Sequence, residues 1–314
     1  MQKNSKIYVA GHTGLVGSAV MRKLQEEGYE NVVTKTSDEL DLTRQEKVEE
    51  FFSKEKPEYV INCAAKVGGI LANKTYPADF IYINIMIATN IIHSSYKNDV
   101  KKLINLGSTC IYPKLAEQPL KEEYLLTSKL ETTNEAYAIA KISAIKLCQF
   151  YNQQHNTNFI SLMPTNLYGA NDNFDLETSH VFPALIRKFH EAKKGKKEFV
   201  EVWGTGSAKR EFLYVDDLAD ALHFILQNVD AKSLPEGFVN IGLGEDLSIK
   251  ELAEKIKGIV GYEGEIKWDT TKPDGTPRKL VNVDLLTSLG WEYKTSLEDG
   301  IKKTYEWFKE NYEG

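Results

Sequence analysis

Four apolar residues, Ile7-Tyr8-Val9-Ala10, run straight into Gly11-His12-Thr13-Gly14-Leu15-Val16-Gly17, where a helical apolar period begins. Few folds accept a strand that meets a helix through three glycines spaced in this way. Gly11 allows a tight turn, Gly14 lets the backbone approach a diphosphate, and Gly17 lets the helix pack close to the strand. Free amides and a partial positive charge at the helix N-terminus suit phosphates, so this loop, including His12, Thr13, Leu15 and Val16, is expected to hold a dinucleotide.

Short apolar runs and amphipathic stretches alternate along the next 150 residues. Asn31-Val-Val33 precedes 45–54, Tyr59-Val-Ile-Asn-Cys63 precedes 78–97, and Leu103-Ile-Asn-Leu106 precedes a helix that runs through Lys141 to Phe159-Ile-Ser-Leu-Met163. Strand, helix and strand at this period pair in parallel through crossovers, which implies an α/β, doubly wound parallel sheet with ligands at the carboxyl ends of its strands. After Pro164 the pattern loosens into loops rich in Asn, Gly and Asp, then resumes in helices over 215–227 and 249–260. Residues 1–166 read as a dinucleotide-binding domain and 167–314 mainly as a smaller substrate-binding lobe, with Phe238-Val-Asn-Ile241 a candidate strand returning to the sheet.

The 39 basic and 45 acidic residues give a net charge of −6, so nucleic acid and anionic membrane have no global attraction to this chain. Three scattered cysteines, Cys63, Cys110 and Cys148, form neither a disulfide framework nor a Cys-x-x-Cys zinc pair, and no metal is expected. A reducing, cytoplasmic setting follows, and no run approaches the ~20 apolar residues that span a bilayer.

The chemistry gathers on two segments. Lys102-Leu-Ile-Asn-Leu-Gly107 delivers Ser108-Thr109-Cys110, and Tyr137-Ala-Ile-Ala-Lys141 follows about thirty residues later. Tyr305 and Lys309 have the same spacing but no nucleotide loop, so context distinguishes Tyr137. Ser108 and Tyr137 can hydrogen-bond a carbonyl oxygen, and Lys141, at i+4 on the same helix face, can lower the phenol's pKa and reach a cofactor ribose. Tyr137 would then give a proton to that oxygen as hydride reaches carbon. Lys35 and Asp38 near the end of the second strand leave the ribose 2′ position open between hydroxyl and phosphate, and Asp41-Leu42 is placed for the adenine edge.

Seven stretches carry a resemblance: Ala64-Ala-Lys-Val-Gly-Gly-Ile70, Tyr76-Pro-Ala-Asp-Phe-Ile-Tyr82, Ser108-Thr-Cys-Ile-Tyr-Pro-Lys114, Tyr137-Ala-Ile-Ala-Lys141, Met163-Pro-Thr-Asn-Leu-Tyr-Gly169, Arg210-Glu-Phe-Leu213 and Lys272-Pro-Asp-Gly-Thr-Pro-Arg-Lys279. With these the chain resembles the extended short-chain dehydrogenase/reductases of Rossmann fold, and among them the GDP-L-fucose synthases. The resemblance implies 3,5-epimerisation and 4-reduction of GDP-4-keto-6-deoxy-D-mannose, with Cys110 as epimerisation base and His180 as acid. It implies NADP(H) against Ala64, Ala65, Leu106, Gly107, Pro164, Thr165, Asn166, Leu167 and His180, and the GDP-sugar on Lys188, Trp203, Arg210 and Asp274. A homodimer through helices over 78–95 and 136–151 is implied as well.

The chain departs from that pattern at Thr13 and Ser37, where the family commonly places arginines for the 2′-phosphate, which keeps NAD(H) as an alternative. Lys188 stands where arginine is usual. Related 4,6-dehydratases carry acidic residues at the places of Thr109 and Cys110, which argues against dehydration. Two other readings stand beside the main one: C4 reduction of a GDP-linked 4-keto-6-deoxy-heptose with little or no epimerisation, and a non-catalytic dinucleotide sensor.

Overall fold

The computed structural model describes residues 1–272 and 274–312. The first half of the chain is β1 (Ile7–Ala10), α1 (Leu15–Glu26), β2 (Val32–Lys35), α2 (Gln45–Glu55), β3 (Tyr59–Asn62), α3 (Ile70–Thr75), α4 (Pro77–Lys97), β4 (Lys102–Leu106), α5 (Glu135–His155) and β5 (Phe159–Pro164). The second half is β6 (Asn166–Tyr168), α6 (Val181–Lys194), β7 (Phe199–Trp203), β8 (Lys209–Arg210), β9 (Phe212–Tyr214), α7 (Val215–Asn228), β10 (Phe238–Ile241), β11 (Leu247–Ser248), α8 (Ile249–Val260), β12 (Glu265–Asp269), β13 (Arg278–Lys279), α9 (Asp284–Ser288) and α10 (Leu297–Tyr312).

Six strands form one parallel sheet in the order β10-β5-β4-β3-β1-β2, the doubly wound arrangement expected from the alternation. Its register matters for function. Ala10 lies beside both Lys35 and Asn62, Asn62 beside Asn105, Leu106 beside Leu162, and Pro164 beside Ile241, so the carboxyl ends share one edge.

Side chains alternate between two layers, as a pleated strand requires. Ile7, Val9, Ile104, Ile160 and Val239 pack under α1 and α7, while Tyr8, Val60, Leu103 and Phe159 pack under α2, α4 and α5. Both faces are covered, which suits the nearly unbroken apolar composition of the strands. Because α7 packs against α1 and β10 pairs with β5, residues after 166 contribute to both lobes.

A separate core holds the second lobe together. Phe182, Leu185, Ile186 and Phe189 of α6 meet Leu252, Ile256 and Val260 of α8 and Ile301, Tyr305 and Phe308 of α10. Tyr305 is thus a packed core ring, with the Lys309 ammonium 5.1 Å from its centroid. Ser248 and Glu251 close a capping box at the start of α8, and Gly261, at φ 72°, ends it in the left-handed region.

The glycine loop is fixed by contacts that no side chain could share. Gly11 sits at φ 76°, and a Cβ there would lie 2.8 Å from the Ala64 amide nitrogen. A Cβ on Gly17 would overlap the Gly11 carbonyl oxygen outright. Gly17→Ala must push α1 away from β1, which should cost about 1–3 kcal/mol in urea unfolding and weaken dinucleotide binding by at least tenfold. A variant that bound cofactor as tightly as the parent would contradict this geometry.

Candidate active site

β4 ends at Leu106, and the chain turns at Gly107, where any side chain would collide with Met163. Ser108 then caps a short 3₁₀ turn, its Oγ accepting the Cys110 N–H at 3.4 Å. That turn aims Cys110 at α5, which carries Tyr137 and Lys141 one helical turn apart. Lys141 is only 7% exposed and its Nζ donates to the Leu106 carbonyl at 2.7 Å. Burial draws its pKa down to about 8. The same desolvation pushes the Tyr137 phenol upward, with Cys110 adding to the rise. Tyr137 is braced edge-on by Phe80, ring centroids 6.2 Å apart, and the Lys141 ammonium lies 5.6 Å from its centroid. Burial also raises the Cys110 thiol, opposed by the ammonium of Lys279, the Ser108 hydroxyl and Lys141.

His180 is the N-cap residue of α6. Its neighbour Ser179 lies against the turn after β3, since a Cβ on Gly69 would stand 3.5 Å from the Ser179 carbonyl oxygen. The adjoining Gly68 backs onto Phe80, so His180, Phe80 and Tyr137 belong to one neighbourhood. The imidazole is open to water on one side but hemmed by protein on the others, and that desolvation lowers its pKa. Two buried polar atoms here, Asn134 Oδ1 and Ser179 Oγ, have no partner among the described residues.

Along the carboxyl edge, the turn after β3 is set by a ladder of buried amides. Asn62 Nδ2 donates to Asn105 Oδ1 at 3.0 Å, Asn105 Nδ2 to Ser161 Oγ at 3.4 Å, and Asn62 Oδ1 accepts the Ala64 N–H at 3.2 Å. This holds Ala64 and Ala65 against the glycine loop. The crossing from Pro164 to Leu167 is fixed in turn: the Thr165 N–H donates to the Ile241 carbonyl at 2.9 Å and Asn166 Nδ2 to the Glu211 carbonyl at 2.8 Å. The Glu211 carboxylate, wholly buried, accepts the N–H groups of Leu243, Gly244 and Val281 at 2.5, 2.8 and 3.1 Å. Burial outweighs those bonds and raises its pKa.

The far end of this edge is polar and exposed. Lys35 pairs with Glu39 at 3.2 Å, while Thr13, Ser37 and Asp38 face solvent. Asp41 is engaged in its own turn, Oδ1 accepting Thr43 N–H at 2.9 Å and Oγ1 at 2.6 Å, with Arg44 3.5 Å away. The Leu42 carbonyl accepts Asn90 Nδ2 at 2.9 Å. A glycine cradle at a helix N-terminus, and a buried His12 Nδ1 without a partner among the described residues, fit a dinucleotide lying along this edge. Among the described residues no cluster of His, Cys, Asp and Glu is arranged for a metal ion, and no helix is long and apolar enough to cross a membrane.

The second lobe supplies a different set. Lys188 Nζ donates to the Glu201 carbonyl at 3.0 Å, and burial lowers its pKa. Trp203, 62% exposed at the end of β7, has the Lys272 ammonium 5.3 Å from its ring. Asp274 is committed to the next turn, taking the Thr205 N–H at 2.6 Å and Oγ1 at 2.8 Å, so it fixes where Trp203 stands. Arg210, its pKa lowered by burial against the pull of Asp274, lies beside Lys279 across the β8–β13 pair. Pro273 of that motif lies outside the described residues.

Asn62, Glu211 and Lys279 shape the site although motif reasoning did not single them out. An asparagine ending an otherwise apolar strand and a glutamate followed directly by Phe212 and Leu213 were the available signals. Their partners are distant in sequence, which hid their purpose.

The model of the NAD dependent epimerase/dehydratase family matches residues 7–242. GDP-L-fucose synthase 1 of Arabidopsis thaliana is 62% identical over 98% of this chain and 94% of its own length, and the GDP-L-fucose synthase of Escherichia coli is 51% identical over 98% and 97%. The solved GDP-mannoheptose C4 reductase of Campylobacter jejuni with NADP bound superposes with a TM-score of 0.92 at 45% identity, covering 98% of this chain and 99% of that one. With the glycine loop, the Ser108–Cys110 turn and the Tyr137–Lys141 helix all inside the matched span, the chain belongs to the NAD dependent epimerase/dehydratase family.

Proposed function

We infer that this chain is a nicotinamide-dependent epimerase/reductase that converts GDP-4-keto-6-deoxy-D-mannose to GDP-L-fucose, inverting C3 and C5 and reducing C4. One observation carries the reading: the Cys110 thiol, the Tyr137 phenol and the Lys141 ammonium are withdrawn from water close to one another, on the turn and helix that follow β4, at the sheet edge that carries the glycine cradle. Relatives 62% and 51% identical to this chain are GDP-L-fucose synthases.

The residues divide the work by their chemistry. Ser108 and Tyr137 donate hydrogen bonds to O4 of the sugar, so the carbons on either side become acidic. The Cys110 thiolate takes a proton from carbon, becoming thiol, and the electron pair delocalises onto O4. His180, as imidazolium, returns a proton to the other face, and the desolvation that lowers its pKa makes it readier to do so. When bound, the reduced nicotinamide supplies the hydride for C4. Tyr137 then gives its proton to O4, and Lys141 offsets the charge left on the phenolate.

Binding groups follow the same logic. Lys188 and Arg210 are cations for the diphosphate, Trp203 is a flat partner for guanine, and Asp274 keeps its turn in place. Gly11 to Gly17, Ala64, Ala65, Leu106, Gly107 and Pro164 to Leu167 line the dinucleotide, which we take to be NADP(H), with Lys35 the cation nearest its 2′-phosphate. The exposed rings of Tyr82 on α4 and Phe150 on α5 support a homodimer through those helices, and three free cysteines suit the cytoplasm. Reduction of a GDP-linked heptose is the second reading, favoured by the Campylobacter neighbour. NMR of products from both keto-sugars separates the two, and turnover of the heptose alone would overturn the first.

Cys110→Ser should slow solvent deuterium entry at C3 and C5 by at least ~100-fold and leave dinucleotide binding unchanged. Unaltered exchange would remove Cys110 from the mechanism. The Lys141 pKa lies below its ordinary value, so the ammonium is lost as pH rises through about 8. The kcat/KM for the reduced cofactor should therefore fall above that pH, and Lys141→Met should lack this limb; a flat profile in the parent would contradict the assignment. Lys35 is one half-exposed point charge already shared with Glu39, standing in for two arginine forks, and such a contact is worth under ~1 kcal/mol. Preference for NADPH over NADH in kcat/KM should stay below about tenfold, and a hundredfold ratio of either sign would refute that estimate.

A further inference from the structure

Lys279 is a largely enclosed ammonium on the second lobe that makes no hydrogen bond or ion pair among the described residues. Its backbone is held tightly against the chain that leaves the cysteine turn. Leu280, the next residue, donates its N–H to Gln118 Oε1 at 2.9 Å and accepts the Leu120 N–H at 2.7 Å, and the Asn282 N–H donates to the Leu120 carbonyl at 2.8 Å. One asparagine of the sheet rivets this assembly. Asn240, fully buried on β10, accepts the Tyr112 hydroxyl at 2.6 Å on Oδ1, donates to the Leu120 carbonyl at 3.0 Å from Nδ2, and gives its backbone N–H to Glu122 at 2.9 Å. Tyr112 lies two residues beyond Cys110, so the cysteine turn and the Lys279 strand are fixed to one point.

We propose that Lys279 is a positioning residue whose ammonium, riveted from the second lobe onto the cysteine turn, favours the thiolate of Cys110 against the burial that opposes it. This rests on the reading of Cys110 as the epimerisation base. The groups facing Cys110 are few: Lys279 from β13, Lys141 and Tyr137 from α5, and Ser108 from its own turn. Lys141 donates one N–H to the Leu106 carbonyl, whereas the Lys279 ammonium has no hydrogen-bond acceptor among the described residues and is the more available of the two cations. The groups facing Lys279 besides Cys110 are Arg210 from β8 and Glu131. Burial pushes the thiol up and the ammonium down, and each charge offsets the penalty of the other. The rival role is a grip on the substrate diphosphate beside Arg210.

Alkylation of the intact protein by iodoacetamide across pH, read by mass spectrometry at the peptide carrying Cys110, separates these roles without substrate. Cys110→Ser identifies labelling at Cys63 and Cys148. Lys279→Met should raise the apparent Cys110 pKa by about one unit, a roughly tenfold slower labelling near neutral pH, and Lys279→Arg should restore most of it. Dinucleotide binding, measured in parallel, should match the parent in both variants. An unmoved profile in Lys279→Met, whatever happens to the keto-sugar KM, would overturn the proposal in favour of the diphosphate grip. Equal shifts in both variants would overturn it too, because shape rather than charge would then be responsible. If the profile moves as expected but Cys110→Ser still exchanges deuterium, the pairing stands and the reading of Cys110 as base falls.

Discussion

Parallel register is the constraint on which the rest of this molecule depends. Because Ala10, Lys35, Asn62, Asn105, Pro164 and Ile241 finish along one edge, the turns that follow them must gather there. The glycine loop, the Ala64 turn, the cysteine turn and the Asn166 crossing are four of those turns. None has a large apolar surface of its own to fix it. Close backbone contact fixes the glycine loop, and the other three are held by polar devices rooted in the sheet: the Asn62–Asn105–Ser161 ladder for one, the Glu211 carboxylate for another, and Asn240 for the third. Buried polar groups are costly unless satisfied, so such devices admit one arrangement and reject near misses.

Withdrawal from water then sets the chemistry. Lys141, Cys110 and Tyr137 are all shifted in the direction that favours their neutral forms. In isolation that would disarm the site. Part of that penalty is recovered at the thiol, because the ammonium groups of Lys279 and Lys141 favour its ionised form in a medium that screens weakly. The same argument explains why Tyr305 with Lys309 does nothing comparable: that ring fills an apolar core and lies far in the fold from the cradle.

Much of this was legible beforehand. The strand-loop-helix opening and the alternation that follows specify the sheet, since a glycine-spaced turn and a period-switching pattern leave one wound topology. That Tyr137, Lys141, Ser108 and Cys110 come together could be anticipated because they sit at fixed offsets on one helix and one turn, while the part given to Cys110 came from the family resemblance alone. What stayed hidden depends on distance. Glu211 takes its three N–H groups from residues 243, 244 and 281, and Asn240 joins 112, 120 and 122. No local pattern announces a partner a hundred residues away. Asp274 is instructive in another sense: an acid in a loop motif suggests a ligand contact, yet its two oxygens are spent on Thr205, in the turn that follows Trp203.

The two lobes are joined where the reaction needs them joined. Lys188 and Arg210 belong to the second lobe and Tyr137 to the first, so on the proposed reading the sugar ring is presented across a seam. A seam free to breathe would let C3, C5 and C4 wander by more than a reacting distance, and misplacement on the order of 1 Å is enough to cost catalysis heavily. Here Glu211 bonds Val281 to the turn after β10, and Asn240 bonds β10 to Leu120 and Asn282. Both lobes thus share β10 as a common support. Proton removal and hydride delivery act on adjacent carbons of one sugar, and a single rigid strand beneath both halves lets one binding pose serve both.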